Sequence, residues 1–273
     1  MRRIWRHPKI VLGGVLLSAL VLLSLAAPWI APYDPIELDV VHRLRPPSGA
    51  HWFGTDAYGR DILSRTLYGG QISLLIGLSV AALASVVGTT IGLVGGYVRW
   101  LDATVMRVMD GLMAIPGILL AVAMLSLTRA SVQTVIVAIT IPEIPRVVRL
   151  VRSVVLSIRE QVFIQGAITS GSRLPRILFR HVLPNALAPI IVQATYICAS
   201  AVLIEAYLGF LGVGTPPEIP SWGNIIADGR NFVQLAIWNV TFPGLFLGGM
   251  VLSINVLGDG VRDLLDPRIA RRM

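Results

Sequence analysis

Six apolar runs, each about twenty residues long or more, fill most of this 273-residue chain and restrict the folds open to it. A run of that length crosses the hydrocarbon core of a bilayer as a helix. Only a helix or a closed barrel satisfies its own backbone polar groups in lipid. The alternating pattern of a barrel strand is missing. Mean hydropathy is +0.74, with 55% hydrophobic and 14% charged residues, which excludes an ordinary soluble domain of this size. The expected fold is all-α, a polytopic membrane protein of about six transmembrane helices.

The expected spans run from Ile10 to Ile30, Ile72 to Tyr97, Met106 to Leu127, Ser131 to Leu150, Ala186 to Leu208, and Leu235 to Leu257. Asp110, Pro116, Pro142, Glu143 and Pro145 interrupt the third and fourth. A proline removes a helical donor and kinks or ends its helix, which lipid tolerates only where protein or water satisfies the freed carbonyl. These two spans are therefore expected to face protein. Gly88, Gly92 and Gly96 repeat at four-residue spacing in the second span, with Gly77 and Ala81 before them. Such a stripe leaves a groove into which another helix packs closely. The chain divides into residues 1–71 (tail, first span and outer loop) and 72–273 (a five-helix core).

Basic residues set the orientation. With the N-terminus inside, 17 of the 23 lysines and arginines fall on inner segments: Arg2, Arg3, Arg6 and Lys9; Arg99 and Arg107; seven from Arg146 to Arg180; and Arg262, Arg268, Arg271 and Arg272. The positive-inside rule then places both termini in the cytoplasm. A net charge of +8 distributed in this way follows membrane topology and forms no nucleic-acid surface. The apolar stretch from Ile10 to Ala27 exceeds the core of a secretory signal and reads as an anchor.

Between the fourth and fifth spans lies a polar interval, 158–185, too long for a turn and too short for a domain. It holds Gln165-Gly166-Ala167, Gly171, Arg173, Arg176, Arg180, His181 and Leu183-Pro184. A docking surface for a partner outside the membrane is one reading; a basic loop obeying the positive-inside rule is the other. Pro184 is expected to stop any helix before the fifth span. Lys9 is the only lysine and is followed by Ile10, so no G-x-x-x-x-G-K-[ST] phosphate loop exists. Any ATP used with this chain is bound by another. Cys198, the only cysteine, precludes an internal disulfide, and no catalytic, metal or cofactor motif stands out among the four histidines.

Glu205, near the outer end of the fifth span, is expected to face a cavity, a cation or the interface. Asp110 and Glu143 raise the same question, and Arg107 or Arg146 within a turn would make them structural. These three are the candidate path residues. The outer loop from Tyr33 to Gln71 mixes both charges and reads as a folded cap, with a short helix from Asp61 to Tyr68. It is a candidate surface for an outside partner or a plug on the spans.

Several segments in order resemble the permease subunits of bacterial binding-protein-dependent ABC importers, in the peptide and nickel branch. They are Phe53-Gly54-Thr55-Asp56-Ala57-Tyr58-Gly59-Arg60-Asp61; Met106-Arg107-Val108-Met109-Asp110 with Ala114-Ile115-Pro116; Leu208-Gly209-Phe210-Leu211-Gly212-Val213-Gly214 with Pro220-Ser221-Trp222-Gly223; and Asn255-Val256-Leu257-Gly258-Asp259-Gly260 with Asp266-Pro267-Arg268. The family's cytoplasmic signature reads E-A-A, three residues, G, then Leu-Pro; here Gln165, Gly166, Ala167, Gly171, Leu183 and Pro184 align, the first two departing from it. The resemblance implies a type I importer permease in the bacterial inner membrane. It implies a second homologous permease, two ATP-binding subunits and an extracytoplasmic solute-binding protein as partners. It also implies a coupling helix in the 158–185 loop that docks on the ATP-binding subunit. A secondary transporter working without an ATPase is the alternative, although no internal repeat supports it.

Overall fold

The computed structural model describes residues 7–265. Arg2, Arg3, Arg6, Asp266, Pro267, Arg268, Arg271 and Arg272 lie outside the described residues. Within them the elements are α1 (Pro8–Leu25), α2 (Ala27–Ile30), α3 (Ile62–Tyr97), α4 (Arg99–Met113), α5 (Gly117–Ser126), α6 (Val132–Arg159), α7 (Val162–Thr169), α8 (Leu174–Ile177), α9 (Leu183–Phe210), α10 (Trp222–Gly229) and α11 (Trp238–Leu265). No strand occurs among the described residues.

Four helical stretches are long and apolar enough to cross a membrane alone: Pro8–Leu25, Ile62–Tyr97, Leu174–Phe210 and Trp238–Leu265. The expected third span is not one straight helix. α4 and α5 meet at 80°, and together they form a possible fifth crossing. Pro116 breaks the chain there, as its missing donor requires. α6, at 28 residues, is long enough to cross, but Glu143, Arg146, Arg149 and Arg152 place it outside the apolar class. It runs unbroken through Pro142 and Pro145, the latter buried, so α6 faces protein as expected, whereas Asp110 and Pro116 of the expected third span are exposed.

The second span begins at Ile62, ten residues before its expected start at Ile72. The short helix anticipated over Asp61 to Tyr68 is its first turns. Asp61 caps it, accepting from Ser64 N at 2.8 Å, and the apolar run continues without interruption to Tyr97. α6 begins at a reciprocal cap in which Ser131 and Thr134 each bond the other's backbone N–H.

The bundle is built on the glycine stripe. A Cβ added at Gly88, Gly92 or Gly96 would lie 2.6, 2.8 or 3.1 Å from Val147, Val151 or Val155. Three glycines of α3 thus receive three buried or nearly buried valines of α6 at matching four-residue spacing. The same helix meets α9 at Gly77, against Val202 and Cys198. α1 rests on α11, where Gly13 and Gly260 admit the opposing backbones. Lys9 pairs with Asp263 at 2.9 Å, so the start of α1 and the end of α11 share one pole with the ends of α3 and α6.

The opposite pole carries the cap. Its 3₁₀ turn (Val40–His42) and loops are held mainly by polar contacts. Arg60 donates to Asp56 at 2.6 Å and to Asp228 of α10 at 2.8 Å; Arg65, fully buried, lies 3.4 Å from Asp228 and donates to Pro35 O at 3.3 Å. His51 bonds Asp61 at 3.0 Å and stacks on Tyr33. Trp222 of α10 is fully buried and donates to Thr66 O at 2.9 Å. The cap and α10, far apart in sequence, are one folded layer over the helix ends.

Candidate functional site

The polar interval leaves the bundle at Arg159 and returns to it at α9. Ile164 alone of α7 is buried, and it anchors the helix to the core beside Ile158, Ile177 and Leu178. Its other apolar side chains point outward: Val162 is 86% exposed, with Phe163 and Ile168 also exposed. Phe179, 67% exposed, extends this surface. Arg173, Arg176 and Arg180 are exposed and form no ion pair among the described residues. An apolar patch rimmed by unpaired cations is a surface suited to an acidic, partly apolar cleft.

Gly171 has φ +75°, and a Cβ there would meet nothing within 4 Å. Its role is therefore conformational, and close approach of a partner backbone within this chain does not account for it. Gly171 N bonds Ile168 O at 2.9 Å and Ser172 N bonds Ala167 O at 3.0 Å. These two bonds make a Schellman motif, with glycine at its left-handed position. Gly166 is exposed with open space around it, so nothing in the described residues demands glycine there. Gln165, at the position of the family's glutamate, reaches back to Arg159 O at 3.2 Å.

Pro184 does not stop the helix as expected. α8 joins α9 through a single π turn over Leu178–Val182, giving one helical stretch, Leu174–Phe210, of 37 residues. Leu183 N reaches back five residues to Leu178 O, and Asn185 Nδ2 donates to His181 O at 2.7 Å. The wider turn accommodates the proline ring that an α turn would crowd. His181 is half-buried, its ring 6.4 Å from that of Phe163, so it braces α7 against the base of α9.

The candidate path residues separate. Glu205 is fully buried; Ser73 donates to its Oε2 at 2.9 Å, while Oε1 has no partner among the described residues. No cation lies within ion-pair distance of it among the described residues. Glu143 is 3% exposed and pairs with Arg146 at 3.3 Å, the neighbour one turn on. Asp110 is exposed and pairs with Arg149 of α6 at 2.5 Å, not with Arg107. Sequence reading missed one strong contact: Arg152 Nε and Nη2 bond Asp102 Oδ1 and Oδ2 at 2.5 and 2.7 Å. Asp102 and Arg152 are 50 residues apart, and no local spacing joins them.

Residues 88–271 match the family described as binding-protein-dependent transport system inner membrane component, and residues 1–47 match the N-terminal TM domain of oligopeptide transport permease C. A probable peptide ABC transporter permease, y4tQ of Sinorhizobium fredii, is 53% identical over 98% of this chain and 91% of its own length. The dipeptide transport system permease DppC of Alkalihalophilus pseudofirmus is 42% identical over 98% of this chain and 88% of its own. Among solved structures, an inward-facing MetNI methionine ABC transporter chain superposes with a TM-score of 0.62 at 22% identity, covering 74% of this chain and 96% of that one.

Proposed function

This chain belongs to the binding-protein-dependent transport system inner membrane components, and from that premise we propose that it carries peptides inward and takes its drive through α7. It is a multi-pass permease subunit of an ABC importer, and ATP hydrolysis belongs to separate ATPase subunits. Peptide cargo is supported by relatives named as peptide and dipeptide permeases that align over nearly all of the chain. A second, homologous permease completes the path, and both termini lie in the cytoplasm, in accord with the inner bias of arginine.

The observation that carries the coupling role is the exposed apolar surface of α7, anchored by Ile164 between two long helices and followed in the chain by the exposed Arg173, Arg176 and Arg180. Gln165, Gly166, Ala167, Gly171, Arg173, Arg176, His181, Leu183 and Pro184 form this docking segment and its join to α9. ATP-driven closure of the docked subunits pushes on α7, and the push enters α6 at Arg159 and α9 through the π turn.

The test uses the reconstituted importer. Gly171→Val should leave membrane insertion and the inventory of copurifying ATPase subunits intact, while peptide uptake falls and ATP hydrolysis persists. Normal uptake in that variant would remove α7 from the coupling role. Competition of labelled dipeptide uptake by unlabelled peptides and by nickel separates the cargo classes.

A further inference from the structure

The break between α4 and α5 and the prolines of α6 lie at one level of the bundle. Pro116 ends the straight course of α4 into α5, and a Cβ on the next residue, Gly117, would lie 3.2 Å from Pro142 of α6. Pro142 and Pro145 each deprive α6 of a backbone donor within one turn. Weak points of two neighbouring elements thus touch. Ala114, Ile115 and Pro116 at the elbow are all exposed, so little packing stiffens it.

On the inner side of this level, α4 is fastened to α6 by charge. Asp102 receives two hydrogen bonds from Arg152, and Asp110 receives one from Arg149. The two carboxylates lie two turns apart on α4, and the two arginines one turn apart on α6. A forked guanidinium on a carboxylate fixes orientation as well as distance. α6 runs on from Arg152 to Arg159, and α7 begins three residues later at Val162. Among the described residues, no ion pair fastens α4 across the elbow to α5.

We propose that Asp102, Arg152, Asp110 and Arg149 are positioning residues that clip α4 to the inner half of α6, making a single rigid arm with α7 that hinges where Pro116-Gly117 meets Pro142. A push on α7 then tilts α4 as well as α6, and α5, on the far side of the hinge, is left behind. The elbow between α4 and α5 opens or closes with each ATPase cycle. This proposal rests on α7 as the input, but adds residues that do not belong to the docking segment.

The experiment uses the full importer in lipid discs. Asp102→Arg and Arg152→Asp should each lower uptake at least about tenfold, an ordinary coupling free energy, with ATPase subunits still bound and hydrolysing. The double exchange, which restores the pair in reverse, should recover uptake to within about threefold of the parent. Spin labels at Trp100 and Ser157, in a Cys198→Ala background, should keep their separation between nucleotide-free and ATP-bound states. Labels at Trp100 and Leu127 should change theirs by more than about 2 Å.

Single exchanges with unchanged uptake, or a double exchange no better than either single, overturn the clip. A Trp100 to Ser157 distance that changes as much as Trp100 to Leu127 overturns the rigid arm even if a variant fails to assemble. Failure of the α7 reading is recognised separately, by Gly171→Val transporting normally.

Discussion

The glycine stripe of α3 supports a graded prediction in which the sign changes with position. Replacing Gly88 by alanine sets a methyl 2.6 Å from Val147 Cβ; the same change gives 2.8 Å to Val151 at Gly92 and 3.1 Å to Val155 at Gly96. Carbon atoms pack comfortably at about 3.5 to 4.0 Å, so the shortfall runs from about 1 Å down to about half that. Overpacking costs about 1 to 3 kcal/mol, while exchanging glycine for alanine inside a helix contributes about 1 kcal/mol in the other direction. The net is a loss of about 2 kcal/mol at Gly88, about 1 at Gly92 and close to zero at Gly96. Gly111 of α4, where an added methyl meets nothing within 4 Å, is the control and should gain up to about 1 kcal/mol. Reversible SDS unfolding in mixed micelles, followed by tryptophan fluorescence, reads these differences as shifts in midpoint. If Gly96→Ala were the most damaging of the three, or Gly111→Ala as damaging as Gly88→Ala, close helix approach would not be what holds α3 to α6.

Gly166→Ala should stabilise α7 by up to about 1 kcal/mol, read as slower amide exchange over 162–169, since its Cβ has open space. Ser73→Ala removes the partner of a fully buried carboxyl group and should cost about 1 to 3 kcal/mol, whereas the same change in a Glu205→Leu background should cost much less; equal losses would mean that the bond does not matter. Asp228→Ala leaves Arg65 buried beside a missing charge, so the cap should become sensitive to protease between residues 34 and 61 while the helices stay protected. His42, bonded to Asp39 at 2.6 Å, holds that carboxylate below its ordinary range. A lowered carboxylate contributes stability that is complete above its unfolded value and fades as pH falls through the folded one. His42→Ala should therefore raise the Asp39 midpoint, as carboxyl-carbon NMR would show.

The long apolar runs announced a helical membrane protein because lipid leaves the backbone few options; the starts of α1 and α11 and the end of α9 fall near the expected boundaries, while α11 runs on past Leu257 to Leu265. The second span's early start was hidden because Asp61, Ser64 and Arg65 made the helix over Asp61 to Tyr68 read as a separate part of a polar cap; their polarity is consumed by a helix cap and by contacts to Asp228. The elbow at Pro116 was visible as a breaker, yet the 80° turn depends on packing that no local pattern encodes. Pro184 misled for a related reason. A proline rule assumes α geometry, and one π turn evades it. Within the candidate site, Gly171 was found by its place in a motif, and its left-handed backbone supplies the reason. Asp102 and Arg152 were beyond reach, since an ion pair across 50 residues leaves no trace in spacing.

A π turn is an α-helix that has absorbed one residue too many, so the stretch from Leu174 to Phe210 carries a surplus at a single point. Deleting one residue between Leu178 and Val182 would relax the surplus and leave both flanks facing as they do now. A deletion anywhere else along its roughly 55 Å would swing one end about 100° round the axis relative to the other. Chain length is thus negotiable at one address only, and the azimuth of the inner segment is set against the outer one like the two ends of a keyed shaft.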